Sequence, residues 1–334
     1  MRLHLWLTTL FALGCAGKVH IQVMEPAEIS VSQDVKKLAL VDRQSNKHSF
    51  RVMYALREGI AVAPRFEVVD NSAAQQAMTR QSPASGQALT KTAAQGICRD
   101  TGATGIVSLA HFVIDDSWDF DWQTVPVTET QTVTKTVDGE EVEEEVEVTR
   151  DVVIHEATFR VKLDTRWTLY DCEAKVLDSH TMADAGIWTG EGSSRADAKL
   201  DTGQAKKLRA QLLGAVGRKY RSRISPFTHQ VQRLYFRGGS AQLRQAHADV
   251  QSGAWSNAHS QWEAAAKSGS KKVQAKAWHN LALYYEQKGD LETAISYAKK
   301  AAGVLGKDWV KRYPKTIEER VVDHARLKEQ LGEK

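Results

Sequence analysis

Between Val125 and Val153, valine and threonine alternate with charged residues on both sides of Asp138-Gly139. An Asp-Gly pair flanked by such alternation is a strong local signal for a tight β-hairpin turn. The stretch therefore predicts a long antiparallel hairpin at about 125–153, inserted in whatever surrounds it. From Glu129 to Asp151 it holds nine acidic and two basic residues, a local charge of −7. Two readings of that charge stay open. One is a site for a cation or a basic partner; the other is a charged edge that keeps sheets from joining.

The flanking sequence alternates short β-branched runs with helical stretches. Lys37 to Asp42 and Arg65 to Asp70 read as strands, with a helix over Phe50 to Ala63 stopped by Pro64. Thr92 to Arg99 reads as a helix, Gly102 and Gly105 as a turn, and Ile106 to Ile114 as a third strand. Thr158 to Tyr170 and Lys175 to Met182 form a second hairpin, with a glycine-rich loop expected over Gly186 to Ser194. A helix follows from Gln204 to Arg223. The pattern is that of a mixed α/β layer over residues 15–237. Lys199 to Arg237 carries ten basic residues and one acidic, a local +9. Contact with anionic headgroups and a solvated face balanced by the acidic hairpin are both open for it. The net charge of the chain is only +4, which does not call for nucleic acid.

The first residues carry an address. Leu3 to Leu13 is an apolar run too short to span a bilayer and suited to a signal peptide over 1–14. It leads into Ala12-Leu13-Gly14-Cys15, which resembles the lipobox of bacterial lipoproteins. That resemblance implies cleavage before Cys15, lipidation of its thiol, export, and anchoring in the envelope. The absence of Asp directly after Cys15 implies the outer membrane by the same resemblance. Cys98 and Cys172 are then the remaining thiols, paired or separate.

Residues 240–334 read as helices. Trp278, Leu281, Ala282, Tyr285, Gly289, Ala294 and Ala301 fall at the spacing of a tetratricopeptide repeat. Small alanines let two helices approach, the glycine turns between them, and the large residues fill the seam. Gly253, Ala258 and Ala265 precede Gly289, Ala294 and Ala301 by a constant 36 residues, marking an earlier copy. Residues 308–331 are expected to cap the array, with Pro314 interrupting. The resemblance implies a concave groove lined by Lys276, His279, Asn280 and Leu283 that takes a protein or peptide partner.

Several pieces together resemble a family of bacterial lipoproteins of unknown function, built from an α/β domain and tetratricopeptide repeats. They are Glu25 to Ile29, Lys37 to Asp42, Arg65 to Asp70, Arg166 to Asp171, Tyr220 to Pro226 and the repeats. A weaker likeness runs to periplasmic translocation and curli-secretion lipoproteins. Asp100-Thr101-Gly102 resembles an aspartic-protease triplet but suits a helix-to-strand turn. Asp115, Asp116, Asp119 and Asp121 miss the spacing of a calcium loop and read as an acidic loop. No zinc pair, nucleophile elbow or phosphate loop is present in the sequence. The expectation is a non-catalytic, cofactor-free interaction or scaffold protein on the envelope membrane, without a metal site. The alternatives are a transport or secretion-assembly component and, further off, a hydrolase using loops of the α/β domain.

Overall fold

The computed structural model describes residues 16–63, 65–81, 87–137, 140–199, 202–267 and 269–333. Cys15 and the Asp138-Gly139 turn lie outside the described residues. The chain is mixed α/β, with a sheet unit and a set of C-terminal helices, in two compact units. Residues 31–225 form one, inserted into the other, which comprises 1–30 and 226–334.

The inserted unit carries a five-stranded sheet in the order β3-β2-β4-β5-β6. Strands β2 (Lys37–Asp42), β3 (Glu67–Val68) and the start of β4 (Gly105–Val137) run parallel, joined through helices as parallel strands must be. Strands β5 (Glu140–Asp171) and β6 (Val176–Gly192) then continue antiparallel. On one face lie α2 (Asn71–Gln81) and α3 (Lys91–Thr101), packed on Ala39, Val41 and Ile106. Helix α3 stops at Gly102, in left-handed conformation, so Asp100-Thr101-Gly102 is a helix end. Helices α1 (Lys47–Ala61) and α5 (Thr202–Ile224) pack on each other, and Tyr220 of α5 stacks on the buried Trp167 with centroids 4.6 Å apart.

A disulfide joins Cys98 of α3 to Cys172, just past β5, with Cα atoms 5.9 Å apart. It settles the open question of those two thiols and closes a loop with a sequence separation of 74.

Three expectations are corrected in this unit. The third strand continues far beyond Ile114, so Asp115, Asp116, Asp119 and Asp121 are strand residues, not a loop. Gly186 to Gly192 is likewise strand, part of β6. Its glycines serve close approach: a Cβ at Gly190 would sit 2.6 Å from the Ala198 carbonyl, and at Gly192 2.5 Å from the Ala198 amide. They admit α4 (Arg195–Lys199) onto the sheet. The second strand shrinks to Glu67–Val68, because Asp70 is drawn into the start of α2, its side chain accepting from the Ala73 amide and its carbonyl from the Ala74 amide.

The other unit pairs β1 (Ala16–Glu25) with β7 (Phe227–Phe236) as an antiparallel ribbon. The sequence placed both stretches in the α/β domain at 15–237. They pack instead with the helices: Ile21, Val23 and Tyr235 join Leu243, Trp262 and Leu281 in one core. Five helices follow in chain order, α6 (Ala241–Gln251), α7 (Trp255–Lys267), α8 (Lys271–Lys288), α9 (Leu291–Ala302) and α10 (Asp308–Leu331), each packed on the next. Helix α10 runs through Pro314 unbroken as one element, where an interruption was expected. Among the described residues no helix is long and apolar enough to cross a membrane.

Candidate interaction surfaces

Helix α8 carries the residues expected to line a partner groove. His279, Asn280 and Leu283 are buried, with exposures of 1%, 0% and 0%. Strand β7 occupies that face. Asn280 accepts from the Phe236 amide at 2.8 Å and donates to its carbonyl at 2.7 Å, replacing the strand neighbour β7 would otherwise need on that residue. His279 Nε2 donates to the Leu234 carbonyl at 2.9 Å, and Lys276 Nζ donates to the Gly238 carbonyl at 3.2 Å. The expected groove at Lys276, His279, Asn280 and Leu283 is therefore a seat for the chain's own ribbon. The packing residues behave as their sizes require: Leu281, Ala282, Ala294 and Ala301 are buried, Trp278 and Tyr285 pack at the margin, and Gly289 caps α8 in left-handed conformation.

Beneath the ribbon lies a buried charge cluster that the sequence pattern does not announce. Glu286 is fully buried and accepts from Arg233 Nη2 at 2.7 Å and Nε at 3.0 Å, from Arg320 at 2.8 Å, and from Tyr313 Oη at 2.5 Å. Burial alone would raise its pKa. The hydrogen bond and charge of Arg233, the Tyr313 hydroxyl and the Arg320 charge outweigh that and hold it below the usual carboxylate value. His279 sits beside this cluster among Phe236, Trp309 and Tyr313. Burial pushes its pKa down to about 4, only partly offset by the Leu234 carbonyl and the Glu286 charge. The carboxylate, guanidiniums and phenol join β7, α8 and α10, and they satisfy one another. That is a structural clamp.

In the inserted unit, an open cleft of about 800 Å³ lies at the carboxyl ends of β2 and β3, where open α/β sheets commonly take ligands. Its carboxylates are already committed to the backbone. Asp42 accepts from Ser49 Oγ at 2.6 Å and the Gln44 amide at 2.9 Å; Asp70 accepts from Ser72 Oγ and the Ala73 amide at the start of α2. The Ser72 hydrogen bond, followed by the Ala73 amide, lowers the Asp70 pKa. Among the described residues no group of three His, Cys, Asp or Glu side chains is placed to hold a metal ion.

The third surface is the hairpin arm. Strand β6 accompanies β5 only as far as the His155–Gly192 pair, so beyond it β4 and β5 continue alone. Fifteen residues of β4, from Gln123 to Val137, lie in this two-stranded part. At about 3.3 Å per residue it reaches about 50 Å.

Near its base, the face carrying Trp118 and Phe159 is apolar and covered. Trp118 packs on Phe159 at 5.1 Å and Trp188 at 5.9 Å, while Lys199 of α4 lies 5.1 Å over the Trp118 ring. Strand register keeps the same alternate positions on that face along the arm, and there its chemistry reverses. It becomes threonine on β4 (Thr128, Thr130, Thr132, Thr134, Thr136) opposite Glu141, Glu143, Glu145, Glu147 and Thr149 on β5. The opposite face reverses the other way. Asp115, Asp119 and Asp121 occupy it near the base; Val125, Val127, Val133 and Val137 occupy it on the outer part of β4. Val142, Val146, Val148 and Val152 complete it from β5. Four of the charges on this valine face pair within it, Arg150 with Glu129 at 2.8 Å and Lys135 with Glu144, while Glu140 stands opposite Val137 near the tip. Val137 and Val142 are 53% and 48% exposed.

Sequence reasoning found the arm and its charge. The partition of that charge between faces needed the register, which the fold supplies. The basic stretch of α5 is neutralised in part inside its own unit, with Arg209 on Asp116, Lys219 on Asp184, and Arg223 on Asp178 at 2.8 Å.

Two family models match the chain. One, described as Domain of unknown function (DUF8603), covers residues 23–236, and another, described as Domain of unknown function (DUF6340), covers residues 244–320. No curated protein matches it.

Proposed function

The chain belongs to the family described as Domain of unknown function (DUF8603), and we propose that it works as a non-catalytic interaction protein of the bacterial envelope, tethered through lipidated Cys15. The observation that carries the reading is the arm, two strands about 50 Å long with a face on which eight valines, four of them exposed, stand among five charged side chains. An isolated two-stranded hairpin is marginally stable in water, so such a face is one to be covered by a partner. The repeat groove expected to bind the partner is taken by β7; the arm replaces it as the working surface.

Two further observations support the setting. The Cys98–Cys172 disulfide fits an oxidising, extracytoplasmic compartment. Gly253 and Gly289 both adopt left-handed conformation (φ 76° and 80°), 36 residues apart, and Ala258, Ala265, Ala294 and Ala301 are all buried. That supports a tetratricopeptide-like pairing of α6 with α7 and of α8 with α9, used here as internal scaffold for the ribbon.

Palmitate labelling and membrane fractionation of the full chain and of Cys15→Ser test the tether. Label and membrane association confined to the cysteine form are expected; label in neither form contradicts it. Replacing residues 124–153 with an Asn-Gly turn tests the arm. The shortened chain is expected to melt as before yet lose its crosslinked complexes in cells; unchanged complexes contradict the reading.

A further inference from the structure

The two faces of the arm are not equivalent as docking surfaces, and their charges select what covers one of them. On the threonine face, Glu141, Glu143, Glu145 and Glu147 stand in one row with no cation among the described residues of that face. A basic partner would be drawn to that row, and an anionic membrane would be repelled by it. The valine face has the opposite character. Its Lys135–Glu144 and Arg150–Glu129 pairs cancel within one copy, so Glu140 near the tip leaves the strip at −1, a nearly neutral face that asks for little complementary charge. A surface that is apolar, nearly neutral and internally paired is complementary to itself.

We propose that the valine face of the arm packs against the same face of a second copy of this chain, forming a two-fold dimer with the glutamate rows outward. Two ribbons stacked face to face at the usual sheet separation of about 10 Å bury the valines and give each hairpin the second layer it lacks. A strip about 50 Å by 10 Å amounts to roughly 500 Å² per copy, so about 1,000 Å² in total. That is the lower bound for a specific association. Tethering at a membrane raises the effective concentration of one copy for another, which suits an interface of that size. The outward glutamates then limit stacking of further ribbons. The inference rests on the proposed function and names the partner of the same surface.

Single cysteines placed in the full chain, expressed in a bacterial host, test it. Val133→Cys and Val142→Cys lie on the valine face; Thr132→Cys and Glu143→Cys lie on the other. A short bismaleimide is expected to give homodimers from the first pair and none from the second or from the wild type. In the full chain, Val133→Glu with Val148→Glu puts two exposed positions under like charge at the interface. It is expected to weaken dimerisation at least about a hundredfold, with an unchanged melt. Equal crosslinking from both faces overturns the proposal. Valine-face cysteines that capture only a different envelope protein overturn the second copy as occupant while leaving the arm as the interaction element. Absence of any crosslinked product from either face overturns both.

Discussion

Helix α8 and the hairpin arm both looked like places where something docks, and they end in opposite states. On α8, an amide and an imidazole that were expected to meet a partner hold backbone groups of β7, and an ammonium holds the Gly238 carbonyl just past it. On the arm, Val137 and Val142 stand 53% and 48% exposed. The difference teaches that a polar residue on a helix reports a backbone in need of a partner, which the chain itself can supply. A face that mixes valines with internally paired charges reports a surface kept soluble while it waits. Burial cost sorts the two: His279, Asn280 and Glu286 are tolerable inside only because each is hydrogen-bonded.

The sharpest way to break this contrast is to open the filled side. Glu286→Ala strands the guanidiniums of Arg233 and Arg320, whose side chains are 16% and 19% exposed. The unit that holds them is expected to lose about 3–5 kcal/mol, read as a separate early transition in urea while the inserted unit keeps its own. A single unshifted transition would show that the cluster holds nothing. Next, Cys98→Ser with Cys172→Ser removes a cross-link over a separation of 74. It is expected to cost the inserted unit about 4 kcal/mol by loop-closure entropy and to leave the ribbon unit unmoved.

Acid offers a third test. His279 is held neutral in the fold, with a pKa of about 4 against 6.5 when free. The stabilisation it reports is complete above pH 6.5 and is lost as pH falls toward 4, about 3 kcal/mol in all. Glu286, held below its ordinary value, adds a loss of the same sign at still lower pH. Urea midpoints followed from pH 7 to 4 should fall for the ribbon unit, and more shallowly in His279→Phe; identical profiles would remove the imidazole from the account. The smallest effect belongs to the arm. Val133→Thr and Val142→Thr, on exposed positions, should each change the monomer's stability by less than about 0.5 kcal/mol. A larger loss in dilute solution would mean the arm is covered by its own chain.

Much of this fold is legible along the sequence because its signals are local. Lys37–Leu38-Ala39-Leu40-Val41 is a buried strand by composition, and the Val125–Val153 alternation is a hairpin by its period. The ribbon is another matter. Val19, Ile21 and Val23 alternate well enough, but their partner strand begins at Phe227, about 200 residues away, and no local rule joins them. The glycines of β6 read as a loop because only α4 lying across Gly190 and Gly192 makes them necessary in a strand. The resemblance to tetratricopeptide repeats put Lys276, His279, Asn280 and Leu283 on a groove-lining face of α8. What covers that face is a tertiary fact, and the helical pattern alone carries no trace of it.

Hydrogen exchange on the full chain at two protein concentrations tests the central claim directly. The account predicts that amides in β7 from Phe227 to Phe236 and in α8 from Lys276 to Leu283 are protected at both. It predicts that the arm's amides from Thr124 to Val153 exchange readily in dilute solution and slow markedly when the protein is concentrated. Rapid exchange in β7, or arm protection that ignores concentration, would contradict it.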